Sequence, residues 1–76
     1  MVSDSDTRPI NDAEDIGRLI RLRRKQANLT QAELAGIART TTRLVSEIER
    51  GKPTAQIDGI LRLTAALGIE LKALTR

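Results

Sequence analysis

The sequence predicts an all-α fold: a bundle of four to five short helices with a short β-strand at its C-terminal end. Three observations carry this. Apolar residues recur at three- and four-residue spacing through most of the chain, the repeat of one helix face. Asp12, Thr30 and Thr41, residue types that start helices, each stand just before such a run. Asn28, Gly51 and Gly68, residue types that tolerate the left-handed turn at a helix end, each stand just after one.

Met1 to Asn11 is polar, contains Pro9 and reads as a disordered arm over residues 1–11. Asp12 then opens the first helix, predicted over 13–27, with acids in the first turn, where the helix dipole favours them. Ile16, Leu19, Ile20, Arg23 and Ala27 recur at helical spacing as its inward face. Leu22 falls opposite and reads as a lone surface leucine or a small contact point. Thr30-Gln31-Ala32-Glu33 has the form of a capping box, Thr at the N-cap and Glu three residues on. The helix behind it is only about eight residues long, with Leu34, Ile37 and Ala38 inward, and needs tertiary support.

The third helix lies in the stretch RTTTRLVSEIERG, residues 39–51. Thr41 fits best as its cap, with the hydroxyl in reach of the Leu44 amide. If Val45 points inward, Thr41 and Ile48 share its sector, and Arg43, Ser46, Glu47 and Arg50 face the other way. This predicts a helix over 42–50, closed by Gly51. A fourth helix opens at Thr54 or Ala55. Ile57, Ile60, Leu61 and Thr64 form one stripe on it, and Leu63 and Leu67 extend the stripe sideways, a width that suits burial on two sides. Gly68 ends it. The segment from Ile69 to Thr75 begins as apolar–polar alternation, a strand signal. A lone strand is unstable in water, so it needs a partner. A dimer interface is therefore expected at Ile60, Leu63, Leu67, Ile69, Leu71 and Leu74. The expected organisation is an arm over 1–11, a helical domain over 12–68 and a dimerisation strand over 69–76.

Composition narrows the chemistry. The 76 residues include no aromatic side chain, so bases cannot stack on Phe, Tyr or Trp, which argues against the common single-strand and RNA-loop binding modes. Without Cys or His there is no disulfide, no thiolate metal site and no usual general base. No Gly-rich phosphate loop or convincing carboxylate pair stands out, so no enzyme, metal or cofactor is expected. No apolar run approaches the roughly 18 residues of a membrane span, and the N-terminus lacks the apolar core of a signal peptide. A cytoplasmic, nucleoid-associated protein is the default. The net charge is +3, but nine Arg or Lys residues stand against three Glu between Ile16 and Lys52. A basic centre points to a polyanion.

Two short helices joined by a tight turn, the second polar on its exposed face, match a helix-turn-helix. The second helix fits the major groove of B-DNA. Thr41, Thr42, Arg43, Ser46 and Glu47 suit base edges there: Arg can bind guanine bidentately, Glu can accept from cytosine, and Ser or Thr can serve either base.

Ile16-Gly17, Arg24, NLTQAELA (residues 28–35) and VSEIERGK (residues 45–52) together resemble the lambda-repressor-like, XRE-type helix-turn-helix family over about residues 14–69. The resemblance implies that Gln31 contacts a phosphate and braces the recognition helix. It implies base reading at Thr42, Arg43, Ser46 and Glu47, and a backbone approach by Arg50, Lys52 and Thr54. It also implies an internal ion pair between Arg24 and Glu49, which the helical wheel supports by placing both at the edge of the core. The turn departs from the family pattern: Ala38-Arg39-Thr40 stands where Gly is usual. Either Arg39 takes a left-handed conformation or the turn has another shape, and its side chain either reaches a phosphate or is a tolerated surface residue. The C-terminal GKPTAQIDGILRLTAALGIELKAL resembles HipB-like antitoxins. That implies a strand paired across a homodimer, a palindromic double-stranded DNA operator and a HipA-like kinase toxin as partner. A phage-type repressor or a restriction–modification controller is the alternative, and a protein-interaction module that does not bind DNA is the alternative from another class.

Overall fold

The computed structural model describes residues 8–76, and most of the expected N-terminal arm lies outside them. The described chain forms four helices: α1 (Ala13–Gln26), α2 (Gln31–Ala38), α3 (Thr42–Glu49) and α4 (Ile57–Ala66). Each of the first three starts on a side chain that satisfies an otherwise unpaired amide. Asp12 accepts from the Asp15 amide at 2.8 Å, and Asp15 accepts in return from the Asn11 amide at 2.9 Å. Thr30 and Glu33 close the reciprocal capping box at 3.0 and 2.9 Å. Thr41 accepts from the Leu44 amide at 3.1 Å. Gln56 precedes α4 with no side-chain cap, and that helix begins later than Thr54 or Ala55.

One core holds the helices together. Ile20 from α1, Leu34 from α2, Val45 and Ile48 from α3, and Leu63 from α4 are fully enclosed. α1 lies directly against the C-terminal end of α3: a Cβ on Gly17 would collide with the carbonyl oxygens of Ile48 and Glu49. Because those obstacles are backbone, neither could rotate away. The missing side chain sets how closely α1 approaches the end of α3, and that closeness brings Arg24 within reach of Glu49.

Several faces differ from the expectation. α1 turns Ile16, Gly17, Ile20 and Arg24 inward, while Arg23 and Ala27 are exposed. Its inward positions follow a four-residue step, and the expected stripe drifted off that line. Ile37 is 57% exposed at the end of α2 instead of inward. α4 carries two overlapping stripes, and packing selects one. Gly59, Ile60, Leu63, Thr64 and Leu67 are buried, and Ile57 and Leu61 face out. Gly59 lies against α3, where a Cβ would press on a terminal methyl of Leu44. Ile60, Leu63 and Leu67, expected at a dimer interface, therefore belong to the core of their own chain. The strand expected over 69–75 is absent among the described residues. Ile69 donates to the Thr64 carbonyl at 2.8 Å to finish α4, and the chain continues without regular structure, Leu71 and Leu74 exposed. Among the described residues nothing offers the backbone edge that a strand needs.

Candidate nucleic-acid interface

α2, the turn and α3 present one continuous surface. The turn rests on Arg39, which adopts the left-handed conformation at φ 58° and ψ 49°. The Thr40 amide reaches back to the Ala35 carbonyl at 2.9 Å, and Arg62 of α4 donates to the Arg39 carbonyl at 3.2 Å. These bonds hold a conformation that costs a residue with a Cβ roughly 1–2 kcal/mol. The Arg39 side chain is exposed at the corner of the motif. Arg39→Gly is expected to raise stability by about 0.5–1 kcal/mol, the strain relieved less the entropy of glycine. If Arg39 also meets a phosphate, the same variant loses DNA affinity uniformly across sequences. Denaturant melts and duplex titrations on one preparation separate the two effects.

α3 buries Val45 and Ile48 and leaves its opposite side uncovered. Thr41, Thr42 and Arg43 at its N-terminal end are exposed, the Arg43 side chain to 86%. Ser46 is half-buried one turn on, and Arg50, Lys52 and Thr54 are exposed beyond the helix. Thr41 has a double position: its hydroxyl oxygen already accepts from Leu44, which leaves its methyl and its O–H for a groove. Glu47 is more enclosed than Arg43 and Lys52. Its side chain is 18% exposed, and its carboxylate accepts from Lys52 Nζ at 2.6 Å, with Arg43 Nε 3.9 Å away. The hydrogen bond from Lys52 holds the carboxyl below the usual glutamate range against an opposing effect of burial, and the charges of Lys52, Arg43 and Arg50 act in the same lowering direction.

Behind this surface sits the ion pair that orients it. Arg24 Nε donates to Glu49 Oε2 at 2.6 Å and Arg24 Nη2 to Glu49 Oε1 at 2.9 Å, with side chains 10% and 3% exposed. Arg24 Nη1 donates to the Leu29 carbonyl at 2.8 Å, and the Gln31 amide donates to Glu49 Oε1 at 3.2 Å. One guanidinium thus ties α1 to the turn before α2 and to the end of α3. Gln31 joins the start of α2 to α3 and keeps a second N–H for another acceptor. The Glu49 hydrogen bonds hold the Arg24 proton more firmly than an ordinary guanidinium does, in spite of burial.

Two contributors escape the sequence reading. Leu44 packs its side chain between the core and Gly59, and its i, i+4 relation to Ile48 was the available signal. Arg62 steadies the turn across 23 residues of sequence, and no local pattern announces such a contact. Among the described residues no group of acidic side chains is arranged to hold a metal ion, and no helix is long and apolar enough to cross a membrane.

This arrangement of a capped short helix, a left-handed corner and a second helix with an uncovered polar side defines a helix-turn-helix protein. A family model described as a helix-turn-helix domain matches residues 15–75, and the chain belongs to that XRE-type helix-turn-helix family of transcriptional regulators. It is 45% identical over 65 residues, 86% of each chain, to y4mF, an uncharacterized HTH-type transcriptional regulator of Sinorhizobium fredii (strain NBRC 101917 / NGR234). Among solved structures it resembles a chain of a complex between a HipB variant and an O2 20mer. The TM-score there is 0.84 at 18% identity, covering 92% of this chain and 97% of that one. A chain of a HipA-HipB-O2-O3 complex superposes with a TM-score of 0.83 at 17% identity, covering 91% and 97%. Identity this low speaks for the fold alone.

Proposed function

We propose that the chain is a sequence-specific repressor that binds double-stranded DNA as a homodimer, with α3 in the major groove. The observation that carries this reading is the N-terminal end of α3, where Thr41, Thr42 and Arg43 stand exposed on a helix whose other side is locked into the core. Thr41, Thr42, Arg43 and Ser46 then meet base edges. Gln31, Arg39, Arg50, Lys52 and Thr54 meet phosphates on either side. A dimer sets two such helices about 34–36 Å apart or a multiple of that, which calls for a palindromic operator. The exposed Ile57, Leu61, Leu71 and Leu74 supply apolar surface for the second copy.

Within this reading the chain is the self-regulating antitoxin of a HipA-type pair. Support comes from the likeness of fold to chains of complexes whose names include HipB and HipA. A regulator without a toxin is the second reading, and the 45% relative is described as a transcriptional regulator. Gel shifts against upstream and random duplexes test the DNA reading. The expected result is preferential binding upstream that weakens linearly on a log–log salt plot. Absence of salt-sensitive binding would overturn it. Co-purification with a kinase encoded by the neighbouring gene separates the antitoxin from the regulator alone.

A further inference from the structure

Glu47 was expected to read a base. Its surroundings suit another task. A base-reading carboxylate must present lone pairs to the groove floor, yet the Glu47 side chain is only 18% exposed, and its shortest contact is to Lys52, beyond the end of the helix. Lys52, Arg43 and Arg50 surround it, three of the cations assigned to the DNA surface. The arrangement is an anion set among the cations that a polyanion must approach.

We infer that Glu47 is a positioning and specificity-determining residue: it ties down Lys52 and stands beside Arg43, so that the surface discriminates against random DNA. The inference rests on the reading of α3 as the DNA-facing helix. Binding to random duplex is almost wholly electrostatic and counts the cations that can neutralise phosphates. A carboxylate hydrogen-bonded to Lys52 offsets that cation's charge, so Lys52 adds little to the count even where it stands at a phosphate. Specific binding depends in addition on where the Arg43 guanidinium points, and a carboxylate one helical turn away limits its excursions by attraction. Glu47 therefore weakens contact with any backbone and favours the one orientation of Arg43 that meets the right base. Its contribution appears in the ratio of specific to random affinity, more than in either affinity alone.

The test uses the full chain, a random-sequence duplex and the best duplex selected from a randomised pool, titrated by fluorescence anisotropy over a range of salt. Far-ultraviolet circular dichroism checks folding of each variant. Glu47→Gln keeps the shape and removes the charge. It is expected to bind random duplex severalfold more tightly, with a log–log salt slope steeper by about one for each copy bound, and to lose about tenfold in the specific-to-random ratio. Lys52→Gln is expected to bind random duplex more weakly. The double variant Glu47→Gln with Lys52→Gln removes a neutral pair, and its slope on random duplex is expected to match that of the parent chain. If Glu47→Gln leaves random binding and its slope unchanged and loses discrimination at a single base pair, Glu47 is a base reader and the inference fails. If the double variant differs from the parent slope by as much as Lys52→Gln does, the pairing has no role in binding and the inference fails. If the parent chain itself binds neither duplex in a salt-dependent way, the DNA reading falls, an outcome distinct from both of these.

Discussion

Glu49→Ala is expected to destabilise the chain by about 3–5 kcal/mol, the usual cost of leaving one member of a buried ion pair without its partner. A domain of this length has a total stability of roughly 4–11 kcal/mol, so the variant should be partly or largely unfolded at ambient temperature. The magnitude follows from geometry. The Arg24 side chain is 10% exposed and makes two of its three hydrogen bonds to Glu49, so truncation strands a charge that water cannot reach without loosening α1 from α3. Urea denaturation read by circular dichroism measures the loss. A companion variant sharpens the cause. Replacing the pair together, Arg24→Met with Glu49→Leu, removes the uncompensated charge and should recover a substantial part of the loss. Recovery stays incomplete because the Leu29 carbonyl then lacks its donor, a deficit of about 1–3 kcal/mol. If Glu49→Ala costs under about 1 kcal/mol, the pair is a surface contact in solution and its bracing role is wrong.

This pair was legible in the sequence from both the resemblance and the helical wheel, because position on a helix is a local property. The caps at Asp12, Thr30 and Thr41 were legible for the same reason: each is decided within four residues. What local pattern could not decide was which of two adjacent apolar stripes a helix buries. On α4, Ile57 and Leu61 compete with Ile60 and Leu63, and the outcome depends on which side meets the other helices. That is a tertiary fact. The strand over 69–75 was misplaced by a related limit: alternation describes a segment's preference, and pairing needs a second edge that one chain does not supply. The recognition surface was half legible. The outward set on α3 was readable from periodicity, but the Lys52–Glu47 contact spans the end of the helix and a glycine at φ 81°, beyond the reach of the wheel. Arg39 shows the same boundary from the other side. Sequence posed the choice between a left-handed residue and another turn, and the bonds from Thr40 and Arg62 decide it.

The second large expected effect is on binding. Arg43→Ala should lower affinity for the operator by about 2–6 kcal/mol while leaving stability within about 0.5 kcal/mol. One bidentate arginine–guanine contact discriminates by about 1–3 kcal/mol, and a homodimer on a palindrome makes the contact twice. At about 1.4 kcal/mol per decade, the loss is roughly thirtyfold to twenty-thousandfold. The side chain is 86% exposed and bears no part of the core, so the fold should not notice its removal. The pattern of the loss matters more than its size. Binding to duplexes substituted at one base pair in each half-site should become indifferent to that substitution in the variant and remain sensitive in the parent chain. Arg50→Ala is the control: an exposed cation past the end of α3, assigned to phosphate, should weaken all duplexes alike and reduce the salt slope by about one for each copy bound. A duplex with only one half-site substituted separates the stoichiometries. In a dimer the parent chain loses one contact and keeps the other, so its loss is about half that of Arg43→Ala on the intact palindrome. A monomer would bind the intact half-site and lose almost nothing, and the proposal that two copies bind together would fall even though the assignment of Arg43 survived.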